Sequence, residues 1–432
     1  MQQFNFDVVV IGGGAAGMAT ATEIEKNGFS VAIIEREEVL GGILLQCIHN
    51  GFGLHQFKEE LTGPEYAERF ANLTESGKIR VFLESTVVEI IRDDEVFDSS
   101  SYNNEISCYS AKEGVFTMKT RAIVMAMGCR ERNRGNISTP GTRPAGVYTA
   151  GLAQRLVNIE GYIPGKDVVI VGSGDIGLIM ARRMALVGAK VHAVVEILPY
   201  PSGLNRNIVQ CLNDFDIPLY LSHTVSNIYG KDRLERIDIT PLVEGSPDLE
   251  QTFSIECDTL LLSVGLIPEN ELAKSIGVEI NPLTNGPVVN SNMMTSESGV
   301  FACGNMLHVH DLVDYATEES LRTGQYVSNY LNSGNNSLIG SRTSQEYRVK
   351  TGSNVRYIVP NSFSVDKSTK FYMRSMIVKE VATLEIKLND VVVKTIRKKH
   401  VQPSEMITFT LTKKLFADLN VTDDASLSIS LL

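Results

Sequence analysis

The first forty residues contain two apolar runs separated by a glycine-rich turn and a helical segment. FDVVVIGG (residues 6–13) predicts a strand, MATATEIEKNG (18–28) a helix, and FSVAIIERE (29–37) a second strand. The same order returns in KDVVIVGSGDIGLIMARRMALVGAKVHAVVE (166–196). Each segment therefore predicts a β–α–β unit of a parallel sheet, and the fold class is α/β with two Rossmann-like folds.

Alternating apolar and polar positions predict strands elsewhere in the chain. VFLESTVVEI (81–90) and ISCYSAKEGVFTMKTRAIVMAMG (106–128), joined by the polar loop RDDEVFDSSSYNNE (92–105), predict a small antiparallel sheet. After residue 331 the segment NSGNNSLIGSRTSQ has the composition of a linker. Beyond it, VRYIVP, KFYMRSMIV, ATLEIKLND, VVVKTIRKKHV, EMITFTLT and ASLSISLL predict a C-terminal antiparallel β domain, arranged as a sandwich.

The glycines of the first turn have the spacing G-x-G-x-x-G. Gly12 permits the tight turn, Gly14 lets the backbone approach a pyrophosphate, and Gly17 lets helix and strand pack closely. The helix N-terminus then offers N–H groups and its positive dipole end to phosphates. Glu35, at the end of the next strand, is placed to accept hydrogen bonds from a ribose diol.

The second turn repeats this pattern with Gly172, Gly174 and Gly177, and its second strand ends in Glu196. A glutamate there favours a free ribose 2′-hydroxyl and repels a 2′-phosphate, so the sequence predicts NAD rather than NADP. Arg182 and Arg183 lie inside the helix, where they do not support an NADP site.

Composition narrows the class further. The chain has 432 residues, a length that suggests two or three domains, and 43% of its residues are hydrophobic. A net charge of -11 argues against binding to nucleic acid or an anionic membrane. The six cysteines contain no C-x-x-C pair, and no apolar run is long enough to cross a bilayer. We therefore expect a cytoplasmic protein without a disulfide framework.

In the order of its motifs the chain resembles the flavoproteins with two dinucleotide-binding domains, the pyridine nucleotide-disulfide oxidoreductase superfamily that includes thioredoxin reductase and glutathione reductase. The match runs from about residue 5 to 332 and includes RAIVMAMGCRERN, DTLLLSVGLIPENEL and SGVFACGNML. It implies a discontinuous FAD domain at 1–142 and 271–335 and an inserted NAD domain at 143–270. For the β domain that the strand pattern predicts at 345–432, we expect docking to a partner.

The resemblance also implies cofactor contacts, carried over position by position. For FAD these are Gly12, Gly14, Ala15, Ala16, Gly17, Glu35, Arg36, Gly42, Gln46, Val88, Gly128, Gly304, Asn305, Asp311 and Leu312. For NAD they are Gly172, Gly174, Asp175, Ile176, Gly177, Glu196 and Gly265. Asn305 replaces the acid that binds the ribityl chain in the family, and its amide still offers hydrogen bonds.

The stretch GGILLQCIHNGFGL (41–54) departs from the family, because Cys47 has no second cysteine beside it to form a redox dithiol. Disulfide reduction is therefore not expected. Cys47 remains a candidate for sulfenic acid chemistry, as in NADH peroxidases and oxidases of this superfamily. His400 and Glu405 are spaced like a proton relay, but we interpret His400 as a surface residue, because no dithiol is present.

The other candidate catalytic residues are histidines. His49 and His55 follow Cys47, and His308 and His310 precede Asp311 at a strand-to-helix junction. Spacing of i, i+2 at such a junction is poor for convergence, so we expect no metal site. A hydrogen bond or charge directed at a flavin from His308, His310 or Asp311 is the alternative to ordinary loop histidines.

The chain also resembles a narrower group of NAD/FAD-dependent oxidoreductases, in the stretches GGILLQCIHNGFGL, ELTGPEYAERF and VFACGNMLHVHDLVD. These are found beside glycerol-3-phosphate-dehydrogenase-like flavoproteins and a small cysteine-rich protein. The resemblance implies hydride transfer between NAD(H) and FAD within a hetero-oligomer. Three alternatives stay open: a stand-alone NADH oxidase or peroxidase using Cys47, an opine or amino-acid oxidase subunit with a vestigial NAD site, and a non-catalytic FAD-binding scaffold.

Overall fold

The computed structural model describes residues 2–75, 78–92, 99–333, 345–417, 419, 421–422 and 424–432. These form two compact units, Met1–Cys129 with Pro268–Leu432, and Arg130–Ile267. Most of the linker predicted after residue 331, and residues 93–98 of the polar loop predicted at 92–105, lie outside the described residues. Within the described ranges no helix is both long and apolar enough to span a bilayer.

The N-terminal part of the first unit contains a seven-stranded sheet with the order β5-β2-β1-β8-β7-β6, in which β20, introduced below, also pairs with β8. Strands β5, β2, β1, β8 and β20 are parallel, whereas β6, β7 and β8 form the predicted antiparallel meander. Its elements are β1 (Gln2–Ile11), α1 (Ala15–Lys26), β2 (Val31–Ile34), β3 (Asn50–Phe52), β4 (Leu61–Thr62), α2 (Gly63–Thr74), β5 (Ile79–Phe82), β6 (Ser85–Arg92), β7 (Asn104–Ser110) and β8 (Gly114–Met125).

The centre of this sheet is buried on both faces, which is why β1 is a continuous apolar run rather than an alternating one. Val8, Val9 and Val10 have no exposed surface. Helix α2 begins at Gly63, with Thr62 and Glu65 forming a capping box and Pro64 in the first turn.

The second unit contains a five-stranded parallel sheet, β10-β18-β11-β12-β13, and an antiparallel sheet built on β14, β15 and β17. The second unit begins at Arg130, and its first residues are tied to the antiparallel sheet, because Thr142 N–H donates to the Ile228 carbonyl on β14. The elements from its start to its end are β9 (Cys129–Glu131), α3 (Arg134–Ile137), β10 (Val147–Thr149), α4 (Ala150–Asn158), β11 (Asp167–Val171), α5 (Asp175–Leu186), β12 (Lys190–Glu196), α6 (Asn205–Cys211), β13 (Leu219–Leu221), β14 (His223–Gly230), β15 (Leu234–Val243), β16 (Ser246–Pro247), β17 (Phe253–Glu256), β18 (Thr259–Leu262) and β19 (Leu266–Pro268).

The chain then returns to the first unit and ends in two further sheets, β23-β21-β28-β25-β26 and β22-β24-β27. Their inward side chains share one core that includes Phe371, Leu384 and Ile429, which confirms the predicted β domain, although the β21–β28 pair is parallel. The elements are α7 (Glu271–Ser275), β20 (Val300–Ala302), α8 (Val313–Ser333), β21 (Tyr347–Thr351), β22 (Val355–Val359), β23 (Ser362–Phe363), β24 (Thr369–Ser375), β25 (Lys379–Leu388), β26 (Val391–Val401), β27 (Met406–Leu411) and β28 (Ser426–Leu431).

Helices α1 and α8 cross at close range, and this crossing sets the position of the loop before α8. The cause is Gly324, where a Cβ would lie 2.9 Å from the Thr20 carbonyl oxygen. Thr20 Oγ1 also donates to the Ser320 carbonyl at 3.1 Å. These contacts hold α8 against α1, the helix that follows the first glycine motif.

Candidate cofactor sites

The first glycine motif has the backbone geometry of a phosphate cradle. Gly12 has a φ of 107°, and a Cβ there would lie 2.4 Å from the Ala126 carbonyl oxygen. At Gly17 a Cβ would lie 1.8 Å from the Gly12 oxygen, so only glycine permits this packing of helix on strand. Gly14 precedes α1 without a side-chain cap, and no described atom lies within 4 Å of the position of its missing Cβ. Open space therefore faces the N–H groups of the helix start, where an anion is stabilised.

Glu35 is buried beside this cradle, and its carboxylate accepts hydrogen bonds from Gly13 N–H at 2.7 Å and Glu37 N–H at 2.9 Å. A carboxylate accepts about four hydrogen bonds. The described residues supply no further donor to Glu35, so two lone-pair positions remain for the hydroxyls of a ribose. The first cradle therefore fits an adenine dinucleotide such as FAD.

Two other segments complete the walls of the first cradle. Gly41 N–H donates to the Gly13 carbonyl at 2.9 Å, and a Cβ on Gly42 would lie 3.3 Å from Gly14 Cα. A Cβ on Gly304, whose φ is 71°, would lie 2.6 Å from Ala16 Cβ. The stretch 41–54 and the loop before α8 thus converge on the glycine motif, although they lie about 260 residues apart in the sequence.

The remaining residues predicted to contact FAD differ in exposure. Gln46 is buried, Arg36 lies at the surface, and Val88 is 65% exposed at a bulge in β6, so its backbone is the part that could meet a cofactor. Asn305 Oδ1 accepts from His310 N–H at 3.0 Å, which leaves its amide N–H groups as the donors available to a ribityl chain. The others are half-buried: Ala15, Ala16, Gly128 and Leu312.

The second glycine motif has the same backbone features in the other unit. Gly172 has a φ of 94°, and a Cβ on it would lie 2.0 Å from the Ser263 carbonyl oxygen. A Cβ on Gly177 would lie 2.4 Å from the Gly172 oxygen. The space beside Gly174 is open apart from Ser263 Oγ at 3.8 Å, and α5 begins without a side-chain cap. This backbone fits a second dinucleotide.

The glutamate of the second cradle differs from that of the first. Glu196 also accepts two backbone N–H groups, from Ser173 at 2.9 Å and Leu198 at 3.0 Å. Both hydroxyls donate to the same oxygen, since Ser173 Oγ lies 2.5 Å and Ser202 Oγ 2.9 Å from Oε2, which also accepts the Ser173 N–H, whereas among the described residues Oε1 accepts only the Leu198 N–H. Asp175 holds the following segment by accepting from Leu204 N–H and Asn207 Nδ2. A ribose hydroxyl that binds Oε2 must therefore displace a serine hydroxyl, while Oε1 keeps one position open.

Cys47 is buried and donates to the Ile43 carbonyl at 3.3 Å. Burial raises the pKa of its thiol to about 12, so the thiolate that redox chemistry needs is disfavoured. His49 is half-buried, with Nδ1 3.0 Å from the Asn50 carbonyl oxygen and its ring 5.0 Å from that of Phe52. His55 stacks on Tyr315 at the start of α8. The structure thus separates these two histidines from His308 and His310.

His308, His310 and Glu319 form what we call the buried imidazole cluster. His308 Nε2 lies 2.8 Å from Glu319 Oε2, and His310 Nε2 lies 3.3 Å from Oε1. The expectation that the i, i+2 spacing prevents convergence was wrong, because the loop after Gly304 coils back and brings the two ring centroids to 4.2 Å. Asp311, which we had grouped with these histidines, turns instead toward the C-terminal sheets.

Asp311 joins the loop to the C-terminal β domain. Arg374 on β24 forms an ion pair with Asp311 and donates to the Val309 carbonyl at 3.1 Å. Met406 N–H donates to Asp311 Oδ2 at 2.6 Å. Burial raises the pKa of Asp311, and the Arg374 charge opposes this rise. The C-terminal sheets therefore hold the loop that lines the first cradle.

The sequence matches the pyridine nucleotide-disulphide oxidoreductase family over residues 6–320, so the chain belongs to this family. Its members bind FAD and NAD(P)H and are flavin-dependent oxidoreductases. The fold is similar to that of T. acidophilum thioredoxin reductase, with a TM-score of 0.61 at 23% identity over 75% of this chain and 98% of that one.

Curated relatives are more varied. Hydrogen cyanide synthase subunit HcnB of Pseudomonas protegens is 25% identical over 69% of this chain and 65% of its own length. NAD(P)H sulfur oxidoreductase (CoA-dependent) of Pyrococcus abyssi is 26% identical over 71% and 64%, and an opine oxidase subunit of Agrobacterium tumefaciens is 24% identical over 69% and 61%. The chain thus matches just under two thirds of the length of these relatives.

Several residues at these sites were not predicted from the sequence. Ser202 and Arg374 lie far from any motif in sequence, and only the tertiary fold brings them to Glu196 and Asp311. Glu319 left a signal, because a helical period places it on the buried face of α8 together with Ala316 and Thr323. A charged residue on such a face indicates a paired site.

Proposed function

We propose that this chain transfers hydride between NAD(H) and FAD without a redox disulfide, as the electron-transfer subunit of a complex with a glycerol-3-phosphate-dehydrogenase-like flavoprotein. A small cysteine-rich protein is the third component that we expect. The observation that carries the hydride-transfer proposal is the pair of cradles, each with a glycine backbone that faces open space and a buried glutamate. The flavin, when bound, supplies the chemistry of accepting a hydride.

The chain's own residues bind and orient the cofactors in this scheme. In the first unit Gly14 and the start of α1 receive the FAD pyrophosphate, Glu35 its ribose and Asn305 its ribityl chain. In the second unit Gly174 and the start of α5 receive the NAD pyrophosphate, and Glu196 its ribose. Cys47 takes no part, since its thiol is buried and protonated.

An anaerobic titration with NADH and, separately, NADPH tests the proposal through the flavin absorbance. We expect bleaching by about one equivalent of NADH and a much weaker effect of NADPH. Gly174→Val fills the open space of the second cradle at an ordinary φ of -63°, so it should leave the flavin bound but not bleached by NADH. Gly14→Val, at a φ of -76°, should yield protein without flavin.

Cys47→Ser is the control and should bleach like the wild type. If this variant fails to turn over with oxygen or peroxide while the wild type does, the chain is an NADH oxidase or peroxidase. The partner is tested by coexpression with the flavoprotein and by transfer of electrons from the NADH-reduced chain to it. A partner that neither oxidises nor reduces this flavin contradicts the proposed complex.

A second candidate is an oxidase subunit with a vestigial NAD site. It is favoured by the three hydrogen bonds that Oε2 of Glu196 already accepts from the chain and by the likeness to the opine oxidase subunit of Agrobacterium tumefaciens. In that case neither nucleotide bleaches the flavin, while an amino-acid or opine substrate does so when the partner is present.

A further inference from the structure

The buried imidazole cluster has no role in the scheme above, although it is the most completely buried set of ionisable groups described here beside either cradle. The side chains of His308 and Glu319 have no exposed surface, and that of His310 has 1%. Glu319 Oε1 accepts from Gly304 N–H at 2.8 Å, so the cluster directly supports the first residue of the loop that lines the FAD cradle. The question is which charges this cluster carries.

Glu319 is ionised. Burial alone raises the pKa of its carboxyl, but the charges and hydrogen bonds of His310 and His308 outweigh burial and hold the pKa well below the usual value. A carboxylate accepts and does not donate, so each Nε2 that faces it carries a hydrogen. Any additional proton of the cluster therefore resides on an Nδ1 atom.

His308 is neutral. Burial, and then the charge of His310, lower its pKa to about 4. A buried carboxylate without a counter-charge is strongly destabilising. Arg374, the other cation that acts on His308, is already paired with Asp311. Charge balance therefore leaves His310 as the partner that holds the compensating proton.

Other ionisable groups surround the cluster without supplying this charge. Tyr372 lies 5.3 Å from the His308 ring and Tyr357 lies 5.9 Å from it. The pKa of each of these phenols is raised by burial, so both are neutral. The groups that act on the cluster are Cys303 and Asp311 on the loop segments and Tyr357, Tyr372 and Arg374 on the C-terminal sheets. Glu318 and Arg322 on α8 and Lys370 on β24 act on Tyr372 instead.

Two histidines and a carboxylate are also a set that binds transition metals. A ligating histidine usually donates its other N–H to an acceptor. Here Nδ1 of His308 and Nδ1 of His310 have no hydrogen-bond partner in the part of the chain that the structure describes. Since no such acceptor orients the rings and Nε2 of each ring carries a hydrogen, the geometry favours a proton over a metal ion.

We propose that the buried imidazole cluster stores one proton on His310, and that this proton cancels the charge of Glu319, which would otherwise repel the negative charge that a hydride adds to the flavin in the first cradle. The second part rests on the proposed function. A hydride delivers two electrons and one proton, so each transfer adds one negative charge, and no bond to the cluster forms or breaks. His310 is thus a positioning and charge-balancing residue, and Glu319 keeps its proton in place.

The first test reads the proton itself. In protein labelled with 15N-histidine, we expect one of the seven histidines to carry both ring hydrogens under conditions in which the exposed histidines carry one. His310→Gln assigns this signal. Glu319→Gln should abolish it, and Glu318→Gln, which changes the neighbouring residue that pairs with Lys370 at the surface, should keep it. Absence of the signal in the wild type, its survival in Glu319→Gln, or a stoichiometric divalent metal in the purified protein overturns the proposal.

The second test reads the flavin by spectroelectrochemistry. His310→Gln leaves the charge of Glu319 uncompensated and should shift the redox equilibrium toward the oxidised flavin at least tenfold, which is about 30 mV for two electrons. Glu319→Gln removes the carboxylate and the stored proton together, so it should shift the equilibrium less. Glu318→Gln should leave it unchanged, and His308→Gln, which removes a neutral group, should shift it less than His310→Gln. Equal potentials in all variants refute the electrostatic role. The NADH titration remains interpretable in that event, because bleaching by NADH depends on the two cradles.

Discussion

Ser202→Ala is the substitution with the most informative expected effect on nucleotide binding. In the wild type Oε2 of Glu196 accepts three hydrogen bonds from the chain itself, so a ribose hydroxyl gains a bond to this oxygen only by breaking another. Removal of Ser202 Oγ takes away one of these three donors. The two sites thus become more alike, because Glu35 in the first cradle accepts only two backbone bonds.

The size of the effect follows from the kind of bond. A hydrogen bond to a charged group contributes about 1.5–3 kcal/mol net. In the free variant, water hydrates part of the opened position, so we expect about 1–2 kcal/mol of this to reach the nucleotide. That corresponds to a Kd for NAD⁺ that is about 5- to 30-fold lower than in the wild type.

Calorimetric titration with NAD⁺ measures this Kd without reducing the flavin. Ser254→Ala is the matched control. Ser254 lies on β17 of the same unit, and its hydroxyl also donates to a carboxylate, that of Asp238. We expect the control to bind like the wild type. A Kd in Ser202→Ala that equals or exceeds that of the control would refute the reasoning, since Glu196 would then not be the ribose acceptor or Ser202 would not compete for it.

Three further outcomes are expected. Cys47 should react with iodoacetamide far more slowly at pH 7 than a free thiol, because its pKa is about 12; fast labelling of the folded protein would contradict its burial. Arg374→Met should lower the free energy of unfolding by about 3–5 kcal/mol, because it leaves the buried Asp311 unpaired; a denaturant midpoint close to that of the wild type would show that the pair is not buried in solution. Burial depresses the pKa of His308 to about 4, so its contribution to the free energy of unfolding is complete above pH 6.5 and is lost as the pH falls toward 4. The urea midpoint should therefore fall less steeply over this range in His308→Gln than in the wild type, and equal slopes would refute the assignment.

The sequence predicted the elements that depend on local patterns. Both β–α–β units, the long helix after Gly304 and the C-terminal strands follow from apolar runs, glycine spacing and alternation, and the structure has them where the patterns lie. It also indicated Glu35 and Glu196, because a carboxylate at the end of the second strand has a fixed position relative to the glycine turn.

Contacts between segments that lie far apart in the sequence could not be predicted from such local patterns. The backbone after Gly304 turns tightly enough to converge two histidines, which spacing along a strand or helix does not indicate. Similarly, nothing in the sequence distinguishes Glu35 from Glu196. The difference depends on Ser202, which reaches Glu196 only because Asp175 fixes the segment that follows β12. Side chains that complete a site from another element require the fold itself.

The ion pair between Arg374 and Asp311 limits which residues can occupy position 311 in a related chain. A relative without the C-terminal sheets would have no Arg374 to pair with an acid at position 311, and the acid would be costly in a buried loop. Asp311 and the strand that bears Arg374 are therefore expected to be gained or lost together among relatives. An aligned family in which position 311 keeps its acid after the C-terminal strands have disappeared would show that the loop found another way to neutralise it.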